Sequence, residues 1–308
     1  MQIPHIPVLL DEVVENFKEI DGYFIDATLG YGGHSEALLE ANKNIKILGI
    51  DQDEEAREFS RKRLEEFGDR IKIYRGRYSE VVPKLLEKFP IKGLLADIGV
   101  SSLQLDKAER GFRFDSDVLD MRMDRTNPFT AYDVVNNYSQ EQLKEIFYKY
   151  GEIRNAAKIA QEIIKNRPIK SAKELAAIAS RVLPKKGKIH PATTLFQAIR
   201  IEVNQELIEL EKLLDALELY KPKGAKIGII TFHSLEDRIV KQRFKEWAKK
   251  CICPPQSMRC ECEGDHQLGM ILTKKPIVAT QEEIAQNPRS RSAKLRIFQF
   301  RDDNGTQR

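Results

Sequence analysis

Gly30, Gly32 and Gly33 lie in a short turn between an apolar segment and a helical pattern. Glycines let a backbone approach a ligand closely and expose N–H groups at the start of a helix. Asp51 ends the next apolar segment about 20 residues later, where a carboxylate can accept hydrogen bonds from ribose hydroxyls. The pattern predicts a site for a dinucleotide or for S-adenosylmethionine, and the alternative is a strand–turn–helix without a ligand.

Two residues beside the turn separate these cofactors. The dinucleotide fingerprint places a third small residue at the position of Ser35, which is a weak mismatch. Asp26 precedes the glycines, and D-x-x-x-G-x-G resembles the first motif of class I methyltransferases, with Thr28 where many members have glycine. S-adenosylmethionine is cationic at sulfur, so nearby acids favour it over a dinucleotide.

The elements around the turn predict one α/β domain with an insertion. Short apolar segments alternate with helical patterns over the first hundred residues, which is typical of a parallel sheet. Apolar spacing then predicts mostly helices from Ser139 to Tyr220, including one helix over Thr193–Leu219. Strand-like sequence returns at Ala225–Phe232. We predict a Rossmann-like domain at 1–103 and 211–308 and a helical, substrate-recognition insertion at 104–210.

Composition indicates a cytoplasmic protein. The chain has 308 residues, of which 41% are hydrophobic and 32% charged, values that are ordinary for a soluble globular protein. We find no apolar segment long enough to span a membrane, and the N-terminus lacks the basic start of a signal peptide. The net charge of +4 is too small to indicate a polyanionic partner, so local clusters must do so.

Longer motifs resemble the RsmH (MraW) family across nearly the whole chain. They are HIPVLLDEV at 5–13, GYGGHS at 30–35, DIGVSSLQLD at 97–106, RGFRF at 110–114, LDMRMD at 119–124, HPATTLFQAIRIEVNQEL at 190–207, FHSLEDRIVK at 232–241 and NPRSRSAKLR at 287–296. The resemblance implies a class I methyltransferase fold with a helical insertion. It also implies S-adenosylmethionine-dependent methylation of the N4 amine of a cytosine in the decoding centre of 16S rRNA.

The resemblance also implies which residues act. The cofactor-binding set is Gly32, Gly33, His34, Asp51, Tyr78, Asp97 and Gln104, and the residues nearest the chemistry are Asp97 and His233. Structural alternatives remain for several of them. His34 suits a polar position at a helix start, Asp51 a helix N-cap, Tyr78 core packing and His233 a cap beside Ser234.

Methylation of N4 needs a hydrogen-bond acceptor, because the amine lone pair is delocalised into the cytosine ring. Free amino methyltransferases often carry D/N/S-P-P-Y/F after strand four, whereas this chain has Asp97 followed by Ile-Gly-Val. Asp97 can accept from the amine, contact the cofactor, or both. The missing aromatic leaves the stacking residue open, with Phe112, Phe114 and Phe232 as candidates. His233 can bind the substrate or remove the amine proton.

Two basic segments predict contacts with rRNA phosphates. The acid-free intervals contain, first, Arg181, Lys185, Lys186, Lys188, His190 and Arg200, and second, Arg289, Arg291, Lys294, Arg296 and Arg301. Such runs suit a phosphate backbone, although many are only solvated faces. The implied partner is the small ribosomal subunit, no membrane is implied, and the oligomeric state stays open, a homodimer included.

Four cysteines fall within twelve residues: Cys251, Cys253, Cys260 and Cys262. They predict either a structural zinc site or thiols without a metal, since C-x-C is tighter than usual zinc spacing. Two further functions remain open. A dinucleotide oxidoreductase is disfavoured by Ser35, and an RNA-binding protein without catalysis is disfavoured by the glycine turn with Asp51.

Overall fold

The computed structural model describes residues 6–185, 190–254, 256–257, 259, 261–262 and 264–302. The chain forms two compact units, one made of Met1–Gly99 with Ile208–Arg308 and the other of Val100–Leu207. The predicted insertion was 104–210. The second unit begins four residues earlier than that prediction, at Val100, and ends three residues earlier, at Leu207.

Helices and strands are named in chain order. The α-helices are α1 Leu10–Phe17, α2 Gly33–Ala41, α3 Glu54–Arg63, α4 Tyr78–Lys88, α5 Ser102–Asp106, α6 Ala131–Asn137, α7 Gln140–Lys149, α8 Ala156–Lys165, α9 Ala172–Val182, α10 Thr193–Asn204, α11 Glu206–Tyr220, α12 Ser234–Trp247 and α13 Gln281–Gln286. The strands are β1 Gly22–Asp26, β2 Ile45–Asp51, β3 Ile71–Arg75, β4 Ile91–Asp97, β5 Lys226–Thr231, β6 Gly269–Ile271, β7 Ile277–Val278 and β8 Lys294–Phe300. Within the described part of the chain, no helix combines the length and apolarity that a membrane span requires.

All eight strands form one sheet in the first unit. The order is β3-β2-β1-β4-β5-β8-β6, and β7 pairs with β8. Strands β1 to β5 run parallel, while β8 lies antiparallel to β5. The predicted Rossmann-like α/β fold is therefore confirmed, and the open sheet aligns the carboxyl ends of β1, β2 and β4 along one edge.

Alternating side chains of the parallel strands enter two separate cores. Phe24 and Leu95 pack with α1 residues on one face of the sheet, while Ile25 and Leu94 pack with α11 and α12 residues on the other. Each of these four side chains is fully buried. A strand with both faces covered has no polar alternation, which explains the continuous apolar segments of the sequence.

The second unit is helical, and its helix α10 is separate from α11, most of which belongs to the first unit. The prediction of one helix over Thr193–Leu219 is wrong, because Gln205 adopts a left-handed backbone conformation with φ of 55°. The Asn204 side chain accepts from the Met123 N–H at 2.8 Å and donates to the Met121 carbonyl at 2.8 Å. These bonds hold the end of α10 against a neighbouring loop, which the apolar spacing does not reveal.

Two of the sequence motifs in this unit contact each other. Arg110 is only 1% exposed, and its guanidinium donates to the carbonyl oxygens of Arg122 and Met123, each at 3.0 Å. Gly111 has φ of 74°, and a Cβ there would lie 2.6 Å from the Asp120 nitrogen. The RGFRF and LDMRMD segments therefore pack against each other. This contact gives Arg110 and Gly111 a structural function.

Candidate active site

Three carboxylates stand at adjacent strand ends in the first unit. Asp26 ends β1, Asp51 ends β2 and Asp97 ends β4, and β1 lies between the other two strands. In open parallel sheets the ligand crevice lies beyond these carboxyl ends. The sequence predicted Asp51 and Asp97 at strand ends, where the structure has them, whereas Asp26, predicted within the first strand, is the residue at which β1 ends.

Asp51 is bound to the glycine turn by its side chain. Its Oδ2 accepts from the Gly30 N–H at 2.8 Å, and its Oδ1 accepts from the Asp53 N–H at 2.8 Å. Burial raises the pKa of Asp51 to about 6, against the lowering effect of these two donors. The helix N-cap is Asp53, whose side chain accepts from Glu55, so the N-cap alternative for Asp51 is wrong.

Thr28 has a structural function that the sequence did not reveal. Its hydroxyl oxygen accepts from the Asp97 backbone N–H at 2.7 Å. That bond joins the turn after β1 to the end of β4 and fixes where Asp97 leaves the sheet. A glycine at this position could not make the bond, which explains the departure from the common motif.

Ser35 and Asp26 form a buried pair behind the turn. The Ser35 hydroxyl is fully buried and donates to Asp26 Oδ2 at 2.6 Å, while the Thr28 N–H donates to Oδ1 at 3.3 Å. Burial raises the pKa of Asp26 above its ordinary value. Ser35, the mismatch to the dinucleotide fingerprint, is therefore the partner of the acid that characterises the methyltransferase-like motif.

Two glycines of the turn lie directly against other parts of the protein. Gly32 adopts φ of 76°, and a Cβ on Gly33 would lie 2.3 Å from Pro7 Cγ. The chain from Ile6 to Leu9 therefore lies directly against the turn. The neighbouring Leu9 N–H donates to Glu283 Oε1 at 2.8 Å, so α13 holds this segment in place.

Gly33→Ala should lower the free energy of unfolding by about 1–3 kcal/mol, since the added methyl overlaps Pro7. Chemical denaturation of both proteins measures the difference. The matched comparison is Gly33→Ala in a Pro7→Ala background, where the clashing ring atoms are gone and the cost should shrink. An equal cost in the two backgrounds would rule out the Pro7 contact as its cause.

His34 also contacts the N-terminal segment. Its ring is 7% exposed, and Nε2 lies 2.9 Å from the Val8 carbonyl oxygen, to which it donates. Nδ1 is then the ring nitrogen left for a ligand. His34 also lies near Asp26 and Asp97 and lowers the pKa of both. The prediction that His34 binds the cofactor therefore concerns Nδ1, and it stays a prediction.

Asp97, like Asp51, is a partly exposed strand-end acid whose pKa lies above its ordinary value. Burial raises its pKa to about 6, and the nearby Asp26 and Glu236 carboxylates add to the rise. The Gly99 N–H donates to the Asp97 carboxyl and opposes it. Asp97 is thus ionised at neutral pH but close to its titration range.

Phe232 and His233 lie beside Asp97, after β5. A Cβ on Gly99 would lie 2.4 Å from the Phe232 ring, so this ring packs directly on the Gly99 backbone. Glu236 Oε2 accepts from the Phe232 N–H at 2.8 Å, and Glu236 Oε1 lies 2.9 Å from His233 Nε2. The buried Glu236 therefore orients both residues at the same edge of the sheet.

A model of the MraW methylase family matches residues 2–301. A protein from Nitratiruptor sp. named ribosomal RNA small subunit methyltransferase H is 63% identical over 302 residues, covering 98% of this chain and 100% of its own. Proteins of the same name from Sulfurovum sp. and Campylobacter curvus are 55% and 57% identical, over 99% and 98% of this chain and 100% and 99% of theirs. The chain belongs to the MraW methylase family. This assignment decides against the dinucleotide oxidoreductase.

Three other residues that the sequence suggested for cofactor binding or base stacking lie in the second unit. Gln104 is 5% exposed, and its Oε1 accepts from the Ser101 N–H at 3.1 Å. Phe112 lies in the helical core, and Phe114 stacks on His190 with ring centroids 4.5 Å apart. Both phenylalanine rings therefore have packing partners within the second unit. Tyr78, in the first unit, opens α4 and packs partly against the sheet core.

Many predicted phosphate-binding cations of this family member are paired with acids. Arg296 and Lys294 contact Asp237, at 2.7 and 3.6 Å, and Arg301 contacts Asp265 at 2.6 Å. In the second unit, Arg200 contacts Glu206 at 2.8 Å. Lys186 and Lys188 lie outside the described residues. The acid-free runs overstated the basic surface, because acids outside the runs pair with these cations.

The cysteine segment lies between α12 and β6. The sulfur atoms of Cys251, Cys253 and Cys262 lie within 4.8 Å of one another, and Cys260 is outside the described residues. Backbone N–H groups of Ile252 and Gly264 lower the pKa of Cys262 to about 5. The sequence left the function of this segment open.

Proposed function

We propose that the protein transfers a methyl group from S-adenosylmethionine to the N4 amine of a cytosine in the decoding centre of 16S rRNA. The observation that carries the proposal is the set of strand-end carboxylates, Asp51 and Asp97 above all, around the glycine turn of a MraW family member. The names of its relatives supply the substrate, small subunit rRNA.

The turn suits the proposed cofactor. Each Asp51 oxygen accepts one backbone N–H and has a second lone pair left for a ribose hydroxyl. Gly32 and Gly33 leave the start of α2 without side-chain bulk. The acids Asp26 and Asp97 favour a cation over a phosphate. When bound, S-adenosylmethionine supplies an electrophilic methyl group on a sulfonium.

Asp97 would orient the target amine. An ionised carboxylate accepts from the amine N–H and turns the nitrogen lone pair out of conjugation, which raises its nucleophilicity. His233 would take up the proton that the amine releases. Its Nε2 faces Glu236 Oε1 at 2.9 Å, so its Nδ1 is the nitrogen able to accept. This acid–histidine pairing supports His233 as the base.

The remaining predicted residues complete the proposal. His34, Tyr78 and Gln104 would contact the cofactor, and Phe232 would stack on the cytosine, because its ring is partly exposed beside Asp97. The helical unit would recognise rRNA, with Arg181 and Lys185 as its candidate phosphate contacts, and Arg289 and Arg291 are the candidate phosphate contacts of the first unit. Small subunits are its proposed substrate, and its proposed place of action is therefore the cytoplasm.

The test is methyl transfer from labelled S-adenosylmethionine to small subunits isolated from cells that lack this methylation. We expect label in 16S rRNA and, after digestion to nucleosides, N4-methylated cytidine. Label on a ring carbon would contradict the proposed site chemistry. Cofactor binding without any transfer would instead support an RNA-binding protein without catalysis.

A further inference from the structure

The described residues of the loop from Cys251 to Asp265 form no hydrophobic core. None of its described residues is buried, and the apolar side chain of Ile252 is 62% exposed. Cys253, Cys262 and Gly264 are its less exposed described residues. Two of these three less exposed residues are cysteines. Burial of apolar side chains therefore does not explain how the described part of the loop is stabilised.

Hydrogen bonds nevertheless fix both ends of the loop. The His266 N–H donates to the Lys250 carbonyl at 3.0 Å, and the Leu268 N–H donates to the Trp247 carbonyl at 2.7 Å. The Arg301 N–H donates to the Leu268 carbonyl at 3.0 Å, and this bond joins the base of the loop to the chain just after β8. These bonds bring the two arms of the loop side by side, with Cys251 and Cys253 on the first arm and Cys262 on the second.

The thiols of the two arms converge. Cys251 and Cys262 have sulfur atoms 3.5 Å apart, and the Cys253 sulfur lies within 4.8 Å of both. Thiolates bound to one zinc at about 2.3 Å are about 3.8 Å apart in a tetrahedral site. A disulfide would need about 2.05 Å and would use only two of the three sulfurs.

Backbone donors surround these sulfurs from the opposite arm. The Ile252 N–H donates to Cys262 Sγ at 3.4 Å, and the Glu261 N–H donates to Cys253 Sγ at 3.3 Å. The first bond runs from the arm of Cys251 and Cys253 to the arm of Cys262, and the second runs in the opposite direction. Such outer contacts orient thiolate ligands and stabilise their charge.

We propose that Cys251, Cys253 and Cys262 bind a structural zinc ion that holds this loop together. Three converging thiolates are soft ligands and favour zinc over hard cations such as magnesium. The ion replaces the missing hydrophobic core, and its binding free energy orders the segment between α12 and β6. The site is separate from the strand-end carboxylates, so its existence does not depend on the proposed methyl transfer.

The test is elemental analysis of the full-length protein purified without chelators from zinc-supplemented cells. We expect about one zinc per chain, release of that zinc by a thiol-modifying mercurial, and cobalt replacement with thiolate-to-metal absorption. Limited proteolysis at Lys250 or Arg259 should accelerate once zinc is removed, since the loop loses its order. Iron with visible cluster absorption, or thiols that all react in the untreated protein, would overturn the proposal.

Cys251→Ser and Cys262→Ser should each reduce bound zinc severalfold or abolish it. Ser257→Ala, an exposed change in the same loop, is the matched control and should keep the metal. Zinc retained equally in both cysteine variants would overturn the proposed ligands. The wild-type metal content decides the question even if a cysteine variant does not fold.

Discussion

Replacing Asp97 with asparagine should lower the turnover number of methyl transfer by about 10²-fold or more, without destabilising the protein. Asparagine keeps an oxygen for the Gly99 N–H but lacks the negative charge that we propose orients the amine. Turnover at saturating S-adenosylmethionine and small subunits, with thermal unfolding of the same samples, measures both effects. A variant with normal turnover would remove Asp97 from the proposed mechanism.

The stability measurement separates catalysis from folding. Burial raises the pKa of Asp97 to about 6, well above its ordinary value, so the native state binds this proton more tightly than the unfolded chain. The ionised side chain therefore costs stability at neutral pH, and the cost shrinks as the pH falls below about 6 and is gone below the ordinary aspartate pKa of about 4. Asp97→Asn should be as stable as the wild type or more so near pH 7. Asp53→Asn, an acid-to-amide change that keeps a helix cap, is the control and should retain turnover.

Asp51→Ala should weaken S-adenosylmethionine binding by about 10- to 100-fold, the loss expected for hydrogen bonds to a charged group. The alanine cannot accept from ribose hydroxyls, and it leaves the Gly30 and Asp53 N–H groups without their acceptor. Isothermal titration with S-adenosylmethionine measures the affinity of both proteins. Unchanged affinity would contradict the proposed cofactor site.

The pH dependence of binding gives a second measurement on Asp51. Its pKa of about 6 means that the carboxyl takes up a proton below that pH and then loses an acceptor. Wild-type affinity should therefore be about tenfold weaker at pH 5 than at pH 7, with a smaller change in Asp51→Ala. Asp53→Ala is the control: losing this N-cap should lower the free energy of unfolding by about 1 kcal/mol without changing cofactor affinity.

Local patterns in the sequence determined the fold class and the positions of the strand-end acids. The segments Ile45–Asp51 and Ile91–Asp97 are apolar throughout their buried centres, and each ends in an acid. Strand period and helix period are properties of neighbouring residues, so the sequence alone carries them. The ordered motifs then fixed the family, and with it the class of cofactor.

Contacts between residues distant in sequence were decided only by the tertiary structure. Thr28 bonds to Asp97, 69 residues away, and Arg296 pairs with Asp237, 59 residues away. The first contact explains an unusual residue in the turn, and the second removes a cation from the predicted RNA surface. Neither partner follows from spacing, because the sheet order determines which strand ends meet.

The glycine turn shows both contributions together. Its residue types and its distance from Asp51 indicated a cofactor site without any coordinates. Only the packed structure showed that Gly33 accommodates Pro7 and that His34 commits Nε2 to Val8. The difference is physical: backbone propensity and periodicity are local, whereas close packing and hydrogen-bond pairing depend on segments that only folding brings together.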